Sequence, residues 1–219
     1  MHESTCRGST RASGDPGRAG SWSYADPVLL QAQGSASAVV ARLIADAGLG
    51  TVDARILDVG TGVGGLAVAL ATRFPESTIV GIDPWEPALA LAREKVGSAG
   101  LDGRITLLNQ TVQELEDPDG FDLVWLPSFF IPEPVLDAAI ARIHMLMRPG
   151  ATLVVGMYDV TDEEPLASAV NDLFTVRAGG SVVYPEDALA RLRHAGFDDT
   201  RELERDWDAP LRLVVGRRG

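Results

Sequence analysis

Short, near-continuous apolar runs alternate along this chain with stretches where apolar residues recur every three or four positions. The runs are Arg55–Val59, Thr78–Ile82, Arg104–Leu108, Phe121–Leu126 and Ala151–Met157. Runs of this kind predict strands buried on both faces of a parallel sheet. The longer period predicts helices over about Val28–Ala47, Gly64–Phe74, Pro87–Gly97 and Pro132–Met147. Gly48 suits the stop of the first helix, because a left-handed residue closes a helix end. Pro75 ends the second, and Pro87 stands at a favoured first-turn position of the third. Leu136, Ile140, Ile143 and Met147 share one face of the fourth. A short helical turn is expected at Gln113–Leu115, and Arg148-Pro149-Gly150 reads as a turn before the fifth strand.

The last third differs. Thr161–Phe174 reads as a helix, Arg177–Ser181 as a glycine-containing loop, and Pro185–Ala195 as a helix closed by Gly196. Two strands follow, at about Thr200–Arg205 and Leu211–Gly216, joined by a link carrying Trp207 and Pro210. So short a link permits an antiparallel hairpin but not a parallel crossover. The expected fold is α/β: a single Rossmann-like domain whose doubly wound sheet is mostly parallel, with an antiparallel C-terminal hairpin. Residues 1–20 are rich in Gly, Ser and Arg and read as a disordered tail. The domain is expected over 21–219. It divides into a helical cover (21–50), a core (51–157), a lid-like insert (158–184) and a helix with the hairpin (185–219).

Composition narrows the function. The chain has 219 residues, 46% of them hydrophobic and 23% charged, as in ordinary globular proteins. A formal net charge of −12 argues against nucleic-acid binding, which depends on clustered Lys and Arg. No apolar run approaches the ~18 residues of a membrane span, and the N-terminal residues lack the apolar core of a signal peptide. A cytoplasmic protein is therefore expected, with neither nucleic acid nor membrane as partner. Cys6 is the one cysteine, so an intramolecular disulfide and a cysteine metal cluster are excluded. His2, His144 and His194 lack zinc-ligand spacing, and no metal is expected.

The most informative stretch is Arg55–Gly65, a buried strand running into a glycine-rich turn and then a helix. Glycines accept positive φ and carry no Cβ to obstruct a ligand, and the helix start offers free N–H groups. Gly60, Gly62 and Gly65 make G-x-G-x-x-G, the dinucleotide fingerprint. Gly60, Gly62 and Gly64 make G-x-G-x-G, preceded by Asp58. The glycines alone leave both readings open.

Five segments in order resemble the class I S-adenosylmethionine-dependent methyltransferases. They are Ile56-Leu-Asp-Val-Gly-Thr-Gly-Val-Gly64, Ile79-Val-Gly-Ile-Asp83, Ile105-Thr-Leu-Leu-Asn-Gln-Thr-Val112, Phe121-Asp-Leu-Val-Trp-Leu-Pro-Ser128 and Met147-Arg-Pro-Gly-Ala-Thr-Leu-Val-Val155. The C-terminal hairpin resembles the family's antiparallel last strand. The resemblance implies S-adenosylmethionine as cofactor. It places Asp58 and the Gly60, Thr61, Gly62 and Gly64 backbone at the cofactor's amino-acid end. Asp83 would accept from both ribose hydroxyls, since a carboxylate matches a cis-diol. Pro84, Trp85, Gln110, Thr111 and Val112 would surround the adenine, with Gln110 replacing the family's usual acidic residue. Leu126 and Pro127 would lie beside the methionine moiety.

Methyl transfer needs alignment and exclusion of water, and a base only when the acceptor is protonated and a poor nucleophile. Tyr158, Asp159 and Glu133 follow strand ends and are the candidate catalytic groups, because ligands of open α/β sheets bind outside the carboxyl ends of the strands. His144 and His194 read as structural. Trp22, Tyr24, Phe129, Phe130 and Tyr184 are the candidate acceptor walls, which suit a small organic molecule. The reading is methylation of a small acceptor, most readily on oxygen, in secondary metabolism, with room for a homodimer. A nicotinamide-dependent oxidoreductase and a non-catalytic cofactor binder are the alternatives, although the chain has no Tyr-x-x-x-Lys pair.

Overall fold

The computed structural model describes residues 27–159, 165–177 and 180–219, so the expected tail at 1–20 lies outside the described residues. In chain order the elements are α1 (Pro27–Asp46), β1 (Arg55–Val59), α2 (Gly65–Arg73), β2 (Thr78–Ile82), α3 (Glu86–Ser98), β3 (Ile105–Leu108) and β4 (Phe121–Pro127). A 3₁₀ turn at Ser128–Phe130 leads to α4 (Glu133–Leu146), β5 (Met147–Tyr158), α5 (Pro165–Arg177), α6 (Pro185–His194), β6 (Phe197–Glu202) and β7 (Leu211–Arg218). The seven strands form one sheet in the order β3-β2-β1-β4-β5-β7-β6. β1 to β5 are parallel, and β7 runs antiparallel between β5 and β6.

Each central strand is buried on both sides, which is why its sequence is mainly apolar. In β1, Ile56 joins one core with α1 and α2, while Leu57 and Val59 join the other with α4 and α6. The end of α1 is built as the sequence suggests. Leu49 N–H donates to Ile44 C=O and Gly48 N–H to Ala45 C=O, with Gly48 at φ 66°. This is the Schellman closure. No described helix is long and apolar enough to cross a membrane.

Four expectations need correction. Gln113–Leu115 is a hydrogen-bonded turn, with Glu114 N–H on Thr111 C=O, and not helix. Arg148–Gly150 is not a separate turn but the irregular start of β5, where Met147 pairs with Phe121 and Thr152 with Leu123. Gly150 at φ 81° absorbs the register change. The first hairpin strand starts at Phe197 and ends at Glu202, three residues earlier than Thr200–Arg205. It is an edge strand with one neighbour, so its Phe-Asp-Asp-Thr-Arg-Glu sequence carries little alternation to reveal it. The insert helix is displaced towards the C-terminus, at Pro165–Arg177, and residues 161–164 of its expected span lie outside the described residues.

Two glycines decide how layers meet. A Cβ on Gly65 would collide with the Gly34 carbonyl, because α1 crosses α2 there backbone to backbone. A Cβ on Gly156 of β5 would strike the indole of Trp125, which lies buried across that strand.

Candidate functional site

The glycine turn joins β1 to α2 at the carboxyl end of the sheet. Gly60, Gly62 and Gly64 take φ of 69°, 55° and 74°, the left-handed region that other residues enter at a cost. Gly60 and Thr61 N–H groups donate to Ile82 C=O at 2.9 and 3.0 Å, tying the turn to the end of β2. The Thr61 side chain is buried against Gly81, where a Cβ would sit 2.8 Å from Thr61 Oγ1. From there its hydroxyl donates to Asp58 Oδ2 at 2.7 Å. Asp58 is 1% exposed, and burial pushes its carboxyl up to about 7. The Thr61 hydrogen bond opposes that rise, and the charge of Asp83 adds to it.

Asp83 follows β2 and bridges two elements. Its Oδ2 accepts Gly62 N–H at 2.9 Å and its Oδ1 accepts Trp85 N–H at 2.8 Å. Burial raises its carboxyl, against the pull of these two donors. A carboxylate has about four acceptor positions, so two remain for further donors. Asn109, which the sequence did not single out, fixes the same residue from just past β3 by donating its side-chain N–H to Asp83 C=O at 3.1 Å. Trp85 packs with Val63, Ala88 and Leu91 beside the turn, and its indole N–H is buried with no partner among the described residues. Pro84 is exposed at the same corner.

The loop after β3 supplies Gln110, half-buried, and Thr111, whose N–H and hydroxyl both donate to Glu114 Oε2 at 2.8 Å. Val112 and Leu126 turn their side chains into the core, leaving backbone to the site. Pro127 faces the glycine turn, 3.6 Å from where a Gly60 Cβ would stand. Asp58, Gly60, Thr61, Gly62, Asp83, Trp85 and Pro127 therefore converge on one corner. Gly64 and Gly65 have packing reasons of their own. A Cβ on Gly64 would press on Ala92 of α3 at 3.2 Å. The third glycine of the dinucleotide spacing is thus required by the α1 crossing.

Beyond Pro127 the 3₁₀ turn is locked in place. Ser128 hydroxyl donates to Gly156 C=O at 2.9 Å, and Ser181 hydroxyl to Ile131 C=O at 2.7 Å. Phe129, 8% exposed, stacks on Tyr158 with centroids 4.5 Å apart and meets Phe130 edge-on at 4.7 Å. Tyr184, 41% exposed, precedes α6, and Trp22 and Tyr24 lie outside the described residues.

The three candidate catalytic groups differ sharply. Glu133, at the start of α4, is exposed and paired with Arg191 at 2.6 Å. Asp159 is enclosed, with a side chain 7% exposed, ion-paired to Arg205 and 3.9 Å from Arg212. Its backbone N–H donates to Pro210 C=O at 3.0 Å, which closes the β6–β7 link over the end of β5. Tyr158 keeps its proton, because burial pushes its phenol above the usual range. These arginines were not legible in the sequence, since each pairing joins segments more than forty residues apart. His144 stands edge-on to Phe197 at 4.8 Å, beside the amino end of β6, and His194 is exposed at the end of α6.

Comparison with known proteins agrees with this geometry. A family profile described as a methyltransferase domain matches residues 56–150. The demethylmenaquinone methyltransferase of Thermus thermophilus is 36% identical over 115 residues, covering 52% of this chain and 51% of that protein. The tRNA1(Val) (adenine(37)-N6)-methyltransferase of Bacteroides thetaiotaomicron is 30% identical over 173 residues, covering 74% and 67%. The solved structure of the mitomycin 7-O-methyltransferase MmcR shares the fold, with a TM-score of 0.71 at 23% identity over 86% of this chain and 54% of that one. The chain thus spans from about half to two thirds of the length of these three proteins. With the strand order, the glycine turn and the strand-end carboxylates in agreement, the chain belongs to the class I S-adenosylmethionine-dependent methyltransferases.

Proposed function

We propose that this protein transfers the methyl group of S-adenosylmethionine to an oxygen of a small organic acceptor. The carrying observation is the corner where the Asp83 carboxylate and the glycine turn meet, with the aromatic turn after Pro127 adjoining it. The residues present fit the cofactor. The turn keeps three Cβ-free left-handed positions, Asp83 retains acceptor capacity for a diol, and the buried Trp85 N–H awaits a partner. Asp58 and the glycine backbone would hold the amino-acid end, Asp83 the ribose, and Pro84, Trp85, Gln110 and Thr111 the adenine. When bound, the cofactor would supply an electrophilic methyl group, its sulfonium becoming a neutral thioether once the methyl is given up.

The protein's part is placement. Pro127 and the locked 3₁₀ turn present a rigid apolar surface beside the glycine turn, which orients an acceptor and excludes water. Phe130 and Tyr158, half-buried against the core residue Phe129, add aromatic character there, which favours a small organic molecule. Oxygen as the target is supported by the shared fold with an O-methyltransferase. The net charge of −12 opposes a polyanionic substrate of the kind named for the tRNA-modifying relative.

Isothermal titration with S-adenosylmethionine and S-adenosylhomocysteine, followed by product detection across phenols, carboxylic acids and amines, tests the proposal. Micromolar cofactor binding and methylation of a hydroxyl compound are expected. Absence of cofactor binding would remove the proposal, and transfer to amines alone would remove its oxygen assignment.

A further inference from the structure

Among the described residues Asp58, Asp83, Glu133, Asp159 and Tyr158 stand near the carboxyl ends of the central strands, and the first four are engaged by other parts of the chain, Asp58 by the Thr61 hydroxyl. Asp83 accepts from Gly62 and Trp85. Glu133 is held by Arg191, and Asp159 by Arg205 with Arg212 behind it. Tyr158 differs. Its ring is fixed by the stack on Phe129, and its hydroxyl has no hydrogen-bond partner among the described residues. Next to it in the chain is Asp159, whose carboxylate is ion-paired to Arg205 and lies 3.9 Å from Arg212. A half-buried hydroxyl that keeps its proton is a donor available to a ligand.

We infer that Tyr158 positions the acceptor: its hydroxyl donates a hydrogen bond to the ionised oxygen of a planar hydroxy-aromatic molecule lying beside the Phe129–Tyr158 stack. The inference rests on the methyl-transfer reading above. It also assigns Tyr158 a different part from that of a base. The donor stabilises the acceptor's anion, so the acceptor's proton goes to solvent on binding, and neither Asp159 nor Glu133 is needed to take it. The stack holds the plane of the Tyr158 ring. Phe129 is anchored by the turn that Ser128 and Ser181 lock, so the donor is preorganised before the acceptor arrives.

The test uses 4-nitrophenol, which is yellow only when ionised, added to the full chain saturated with S-adenosylhomocysteine below the phenol's own ionisation pH. Wild type is expected to bind it with a gain of yellow absorbance. Tyr158→Phe keeps the ring and the stack, so it should retain wild-type S-adenosylhomocysteine affinity and urea midpoint. It should bind the phenol about tenfold more weakly, with no gain of colour. Equal phenol affinity in wild type and Y158F overturns the inference, as does wild-type binding without ionisation. Failure of wild type to bind the phenol while S-adenosylhomocysteine still binds overturns it too, leaving the methyl-transfer reading intact. Failure of S-adenosylhomocysteine to bind removes that reading and this inference together.

Discussion

Asp58→Asn should make this protein more stable above neutral pH. In the folded chain Asp58 is 1% exposed, its visible support is one Thr61 hydroxyl, and Asp83 faces it across the turn. An unfolded chain releases this proton near 3.8, whereas the folded chain keeps it up to about 7. Between those values the folded state binds more protons, so stability falls as pH rises and levels off above about 7. At about 1.4 kcal/mol per pH unit, the interval from 3.8 to about 7 corresponds to a cost on the order of 4 kcal/mol for the ionised side chain. Asparagine keeps the shape and the acceptor for Thr61 but removes the charge and relieves Asp83. The assay is urea unfolding of wild type and D58N, followed by tryptophan fluorescence, from about pH 5 to about pH 8. The stability difference between them should grow in favour of D58N as pH rises to about 7 and then stay constant. A difference that does not change with pH would refute the account of Asp58 as a buried, uncompensated carboxylate. D58N should also bind S-adenosylmethionine more weakly, the signature of a site that keeps a destabilising group for its function.

Asp83→Asn replaces an oxygen that accepts an N–H with a group that itself donates; at about 1.5–3 kcal/mol for a hydrogen bond to a charged group, S-adenosylmethionine affinity should fall at least about tenfold by isothermal titration. Gly65→Ala should drive α1 off α2 because the new Cβ meets the Gly34 carbonyl, costing about 1–3 kcal/mol and lowering the melting temperature by several degrees in calorimetry. Arg191→Ala should cost under about 1 kcal/mol, since Glu133 and Asp137 are largely exposed, and titration should show S-adenosylmethionine affinity unchanged.

Local sequence determined much of this protein. β1 and β2 fall at Arg55–Val59 and Thr78–Ile82 as read, because a strand buried on both faces is a short, mainly apolar run, here followed by Gly60 and by Asp83. The glycine turn, Asp58 and Asp83 were legible for a related reason: positive φ and a strand-end carboxylate are properties of single residues in a short segment.

Tertiary structure decided what depends on partners distant in the chain. Gly65 reads as a ligand glycine until α1 is seen crossing at Gly34. Gly81 and Gly156 read as ordinary strand residues until Thr61 and Trp125 are seen occupying the space they leave. Asp159 and Glu133 have the chemistry of bases, but Arg205 and Arg191 reach them only through the fold. Tyr158 stands apart for the same reason, since what a phenol can do depends on the burial and neighbours that packing assigns to it. Composition and spacing act along the chain, whereas Coulomb pairing and excluded volume act through space, so which strand-end group stays unengaged was settled only when the sheet closed.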